Sequence, residues 1–181
     1  LAISEEILYK KEKVIWLGNL WIAYKNLGDY RKAIDYYEKA LAIFEEIGDK
    51  KDKGSVLGSL GNVYGDLGDY RKAIDYYEKA LAIAEEIGDK QGKGSVLGNL
   101  GNAYGQLGDY RKAIAYLEKG LAIAEEIGDK GGKENRLGNL GNAYRDLGVY
   151  RKAIDYYEKA LAICKEIGVP YDISESNLAD A

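Results

Sequence analysis

The chain contains no histidine and no methionine, and only one cysteine, one proline and one phenylalanine among 181 residues. Without His there is no Ser-His-Asp or Cys-His nucleophile pair, no H-E-x-x-H metal site, and no imidazole acid or base working near neutral pH. A lone Cys164 permits neither an internal disulfide nor a thiolate zinc cluster. No apolar run approaches the roughly 20 residues that span a bilayer, and no signal peptide pattern is present. No membrane partner is therefore expected, and the chain is expected in the cytoplasm. The net charge of -4 argues against a nucleic-acid surface, which is usually strongly basic. No catalytic residue, metal site or cofactor is expected. A chain that begins without Met is expected to be a piece of a longer polypeptide.

What is abundant is Gly, at 23, and Tyr, at 17. Such a skew points to a repeated word. Leu-Ala-Ile recurs at Leu1, Leu41, Leu81, Leu121 and Leu161, a period of 40 with no insertion or deletion. The chain divides into a partial unit at 1–13, full copies at 14–53, 54–93, 94–133 and 134–173, and a tail or the start of a further helix at 174–181. The second and third copies differ at few positions, among them Asp66/Gln106, Tyr77/Leu117 and Ala80/Gly120.

Each copy carries two helical signals separated by a turn. In the second copy Ala73, Ile74, Tyr77, Ala80, Leu81 and Ile83 follow the spacing of a helix with one buried face. Asp69 is placed to cap that helix and Gly68 to end the one before it, a stop and start signal that Gly88 and Asp89 repeat. The unit thus reads as an antiparallel helical hairpin. Its first helix is rich in Gly, as at Gly94, Gly98, Gly101 and Gly105. Each interior Gly costs about 1 kcal/mol relative to Ala, so packing must hold that helix, with Gly101 expected to meet Ala113 of its partner. One hairpin cannot bury its apolar face, whereas a stack of hairpins can.

These residues resemble a tetratricopeptide repeat (TPR). The second copy supplies Leu57, Leu60, Gly61, Tyr64, Ala73, Tyr77 and Ala80 at the spacing of that motif, and the resemblance covers nearly the whole chain. Two departures are visible. Leu replaces the opening aromatic, and the closing Pro is replaced by Glu45, Glu85, Glu125 and Lys165, so the second helix should run on to Ile47, Ile87, Ile127 and Ile167. This 40-residue form resembles the repeats of kinesin light chains and of the Leu-Gly-Asn adaptor of spindle orientation, and TPR arrays of many bacterial signalling proteins. The resemblance implies an all-α fold, a right-handed α-solenoid of antiparallel helix hairpins with the first helices lining a concave side.

The resemblance further implies a protein-interaction scaffold that takes a peptide segment of a partner in that groove. The matching positions are Asn19, Ser59, Asn99 and Asn139, one turn from Ile22, Asn62, Asn102 and Asn142. Asn offers both a donor and an acceptor, so a row of them can pair with a peptide main chain. Lys25, Asp66, Gln106, Arg145 and Asp146 would add sequence preference. Two readings stand open: a binding row, or amides that bond between helices. Family members that grip a chaperone's C-terminal carboxylate use Lys or Arg on the first helices. Gly58, Gly98 and Gly138 stand there instead, with uncharged Ser55 and Ser95, which disfavours that partner.

Other motifs fall away on inspection. Residues 88–95 superficially match a phosphate-binding loop, but the spacing is one residue short, Gly follows Lys93, and no strand precedes. Glu45/Glu46, Glu85/Glu86 and Glu125/Glu126 recur with the unit and read as a solvated face. Cys164 reads as a small, semi-buried residue. The Tyr pairs at 36/37, 76/77 and 156/157 place one ring on the core face and one at its edge.

The ends carry the individuality of the chain. Ile15, Trp16, Trp21 and Ile22 stand where the second and third copies have Ser, Val, Gly and Asn. Packing against the preceding helix fragment is the favoured reading, and an end interface with a partner or a second copy is the other, which would give a homo-oligomer stacked end to end. Leu8-Tyr9 replaces the Gly-Asp stop, so helix is expected to continue across residues 8–10. At the other end Pro170 fits the first position of a further helix.

Overall fold

The structure, a computed structural model, describes residues 2–168, which fall into two compact units with their boundary between Ile87 and Gly88. The first unit holds α1 (Ala2–Asn26), α2 (Tyr30–Ile47), α3 (Lys50–Asp66) and α4 (Tyr70–Ile87). The second holds α5 (Lys90–Gln106), α6 (Tyr110–Ile127), α7 (Lys130–Asp146) and α8 (Tyr150–Ile167). Among the described residues there is no strand. Within each unit, consecutive helices pack as two hairpins, α1 with α2 and α3 with α4, then α5 with α6 and α7 with α8. Pro170 and the rest of 169–181 lie outside the described residues.

The Gly-Asp pairs do what their chemistry allows. Glycines 28, 48, 68, 88, 108, 128, 148 and 168 all take φ between 70° and 80°, the left-handed region that a side chain resists. The aspartate that follows turns its carboxylate onto a free backbone N–H of the next helix: Asp49 accepts from Asp52 at 3.1 Å, Asp69 from Lys72 at 3.2 Å and Asp129 from Gly132 at 2.8 Å. Only α8 departs, because Val149 occupies the cap position and makes no side-chain cap bond. The second helices end at Ile47, Ile87, Ile127 and Ile167, where the lack of a Pro lets them run.

α1 is different. Leu8 and Tyr9 offer neither a left-handed residue nor a capping oxygen, and the helix passes through them unbroken for 25 residues. Residues 2–13 are thus the first half of the same helix that carries Trp16 and Trp21.

Both units are held by the same contacts. In the first, Tyr37, Ala40, Ile43 and Phe44 of α2 pack with Val56, Leu60 and Val63 of α3, all less than 9% exposed. In the second, Ala113, Ile114 and Leu117 of α6 pack with Leu140, Ala143 and Tyr144 of α7. At the rim of each hairpin two Tyr rings stack, Tyr24 on Tyr36, Tyr64 on Tyr76, Tyr104 on Tyr116 and Tyr144 on Tyr156, with centroids 5.3–5.5 Å apart. A lysine ammonium covers each ring, as Lys72 covers Tyr64 and Lys79 covers Tyr76, both at 5.1 Å.

The recurring glutamates have a structural partner. Lys50, Lys90 and Lys130, which open α3, α5 and α7, and the equivalent Lys10 within α1 pair with Glu86, Glu126, Glu166 and Glu46 respectively, at 2.5–2.7 Å. Lys53 reaches Glu45 and Lys133 reaches Glu125 at 2.9 and 2.8 Å. Lys130 holds the Glu166 carboxyl below its ordinary range by hydrogen bonding and charge. Cys164 is buried.

Candidate functional site

The amides singled out in the sequence lie on one face of the first helices, and the structure divides them by what they already hold. Asn62 accepts a hydrogen bond from the Tyr77 hydroxyl at 2.8 Å, and Asn142 accepts one from Tyr157 at 2.8 Å. Both bonds run between the two helices of one hairpin, which is the second of the two readings left open above. Burial pushes the Tyr77 hydroxyl up to about 12, with the nearby Asp66 charge adding to it, and raises Tyr157 as well. Ser59 donates to the Ser55 carbonyl at 3.0 Å and is also bonded to the Tyr37 hydroxyl. Asn139 donates to Asn135 at 3.2 Å. Asn19 and Asn102 are exposed, and Asn99 is half-buried.

The charged candidates pair with one another. Asp66 meets Lys25 at 3.0 Å, and Arg145 meets Asp146 at 3.1 Å. Within the Gly88–Ala181 unit, Asn102 and Gln106 of α5 and Asn139, Asn142 and Asp146 of α7 border a single open cavity of about 430 Å³. Its floor is Gly101, Gly105 and Leu117.

The glycines explain that floor. A Cβ at Gly61 or Gly141 would overlap the ring of Tyr77 or Tyr157, so these glycines exist to let a tyrosine lie flat on the first helix. At Gly101 the close neighbour is Leu117, whose Cγ is 2.5 Å from where a Cβ would sit. The expected approach to Ala113 is also present, through its backbone carbonyl oxygen at 3.2 Å, and Leu117 is the closer contact that the sequence did not point to. The signal for this was the recurrence of Gly, Asn and Tyr at fixed offsets in the second and fourth copies.

At the first copy the favoured reading is overturned. Ile15, Trp16 and Ile22 are exposed, at 63%, 69% and 53%. Residues 2–13 do not cover them, because they continue the same helix and cannot fold back over it. Trp21 alone is packed: it stands in place of the Gly and stacks on Tyr37 with centroids 4.2 Å apart. Trp16 and Leu20 form a stripe whose counterparts Val56 and Leu60 on α3 are 4% and 0% exposed.

Arg136 carries a role that sequence reasoning missed. Its guanidinium covers Gly98 and donates to the Gly94 carbonyl at 2.9 Å, while its Nε is buried without a hydrogen-bond partner. Desolvation lowers its pKa from the ordinary arginine value. Among the described residues no group of His, Cys, Asp and Glu could hold a metal ion, and no helix is long and apolar enough to cross a membrane.

Repeated hairpins of this length, joined by Gly-Asp turns and packed Gly-to-Tyr across the hairpin, define an all-α repeat protein of the α-solenoid class. A family model for the tetratricopeptide repeat matches residues 13–86, 52–126 and 92–166, and the chain belongs to that family. No curated protein matches the sequence. Among solved structures, BtubC (BKLC) from P. vanneervenii is similar at 26% identity and TM-score 0.75, over 84% of this chain and 63% of that one. The STAND signal transduction ATPase PH0952 from Pyrococcus horikoshii, which has a tetratricopeptide repeat sensor, is similar at 30% identity and TM-score 0.76, over 88% of this chain and 24% of that one. The nearly identical TPR-like repeats of a Podosopora anserina protein assigned as a kinesin light chain share the fold at 20% identity and TM-score 0.72, over 87% of this chain and 77% of that one. The chain therefore spans less than two thirds of BtubC and about a quarter of PH0952.

Proposed function

We propose that this chain is a non-catalytic protein-interaction module, acting in the cytoplasm, whose amide-lined first-helix face takes an extended peptide segment of a partner protein. The observation that carries this reading is the cavity of about 430 Å³ bordered by Asn102, Gln106, Asn139 and Asn142. An extended peptide has unpaired N–H and C=O groups along both edges, and Asn or Gln side chains can meet either kind. Asn62 and Asn142 are poor probes of this role, because each also accepts from a buried tyrosine. Asn102 and Asn139 are better ones. Peptides selected on this chain from a random display library should bind Asn102→Ala and Asn139→Ala about tenfold more weakly, with the melting temperature unchanged. Equal affinity for these variants and the parent protein would remove the reading.

A second reading has its own observation. Trp16 and Leu20 are exposed on α1, whereas Val56 and Leu60 on α3 are covered by α2. The occupant proposed is α8 of a second copy, which repeats the Ala-Leu-Ala-Ile word of α2 at Ala160–Ile163. Light scattering over a concentration series should show a mass that grows with concentration, and Trp16→Glu should hold it at the monomer. A parent protein that stays monomeric throughout would exclude this assembly.

A further inference from the structure

The third copy lacks one part of a device that the second and fourth copies possess. In those, a tyrosine lies over a glycine of the first helix and donates its hydroxyl to an asparagine, Tyr77 to Asn62 and Tyr157 to Asn142, each at 2.8 Å. The third copy keeps the glycine and the asparagine, Gly101 and Asn102, but places Leu117 at the tyrosine position.

Leucine fills the near half of the space that a phenol would take and leaves the far half open. Leu117 Cγ sits close over Gly101, as the inner ring edge of Tyr77 sits over Gly61. One turn on the difference appears. A Cβ at Gly65 would meet the Tyr77 hydroxyl at 3.8 Å, whereas at Gly105 it would meet only the Ala113 methyl at 3.9 Å. Asn102 is exposed and makes no side-chain hydrogen bond among the described residues. The cavity of about 430 Å³ opens at this point, with Gly101, Gly105 and Leu117 as its floor and Asn102, Asn139 and Asn142 at its sides.

The geometry points to a notch that receives a tyrosine side chain of the bound peptide, its hydroxyl donating to Asn102 Oδ1 and its ring resting on Leu117 and the Gly101–Gly105 backbone. The partner's tyrosine replaces the residue that the chain's other copies supply internally. This inference rests on the reading that the face binds a peptide, and it names the anchoring residue. Phenylalanine would fill the same space but leave Asn102 without its donor, so tyrosine should be preferred by about tenfold. Asn139 remains beside the notch to meet the peptide main chain.

The test uses the whole chain, labelled with ¹⁵N, and three acetylated tripeptide amides, Gly-Tyr-Gly, Gly-Phe-Gly and Gly-Ala-Gly, with p-cresol as a free phenol. The Tyr peptide should shift the resonances of Asn102, Gly105 and Asn139, the Phe peptide should bind about tenfold more weakly, and the Ala peptide should show no binding. Leu117→Tyr fills the notch from within; it should abolish binding while raising the melting temperature. Asn102→Ala should bring Tyr and Phe to equal affinity. Equal binding of the Tyr and Phe peptides by the parent, or unchanged binding by Leu117→Tyr, would sink the inference. So would p-cresol binding as tightly as the Tyr peptide, which would make this a small-molecule pocket. Peptides that need Asn102 and Asn139 but show no aromatic preference would end the tyrosine notch and leave the groove reading intact. Failure of every selected peptide to bind would end both.

Discussion

Tyr77 lies flat over Gly61 and keeps its hydroxyl on Asn62, so its burial leaves no polar group stranded. The ring is held at both ends and cannot slide to admit a methyl group. Gly61→Ala should therefore destabilise the protein by about 1–3 kcal/mol through overpacking. Gly18→Ala is the contrasting case, since a Cβ there meets only Trp21 at 3.7 Å. It should stabilise by about 0.5–1 kcal/mol through helix propensity. Denaturant midpoints of the two variants check both signs. The same tyrosine predicts a pH effect. Its folded value of about 12 lies above the 10.0 of an ordinary tyrosine, so between those values the unfolded chain loses a proton that the folded chain keeps. Its contribution is complete below pH 10 and is lost as pH rises toward 12. Absorbance titration of phenolate should show a late component that loses one tyrosine's amplitude in Tyr77→Phe. At this scale the sequence revealed that the glycines mark close approach. It did not reveal what approaches, because an expectation of small against small overlooked an aromatic ring as a partner for Gly.

At the scale of the helix, stop signals were the most legible feature, and each is a local matter of one left-handed residue and one capping oxygen. Their absence at Leu8-Tyr9 decided the course of α1, and their restoration should reverse it. In the double variant Leu8→Gly, Tyr9→Asp, amides 9–12 should exchange with solvent faster than in the parent protein. Uniform protection through residue 12 would show that something other than the missing signal keeps the helix straight. α8 offers the converse test. Val149 leaves its first turn without the side-chain bond that Asp29, Asp49, Asp69, Asp89, Asp109 and Asp129 supply elsewhere. Val149→Asp should add about 1 kcal/mol, read as a higher melting temperature. The fate of Ile15 and Trp16 was not legible locally. Whether an apolar residue at that position is covered depends on whether another helix lies alongside, and neither side chain carries that information.

For the molecule as a whole, charge is plentiful but spread thinly. The lysine–glutamate pairs between helix ends are largely exposed, and such pairs contribute about 0–1 kcal/mol each. Raising NaCl from about 0.1 M to about 1 M should therefore move the melting temperature by no more than a few degrees. A large fall would mean that these pairs, and not the apolar contacts between helices, hold the hairpins together. The period of 40 made the class of fold readable before any helix was placed. The candidate site was readable only as a row of equivalent positions. Their differences emerged from partners 15 residues away, Tyr77 for Asn62 and Leu117 for Asn102. That last substitution has a consequence for how a ligand is aligned. A surface made of identical copies is degenerate in register, since a segment that fits one copy fits the next one equally well. If the face takes a peptide as proposed, Leu117 would lift the degeneracy by subtraction: a vacancy in one copy would give the bound chain a fixed origin, with no group added to mark it.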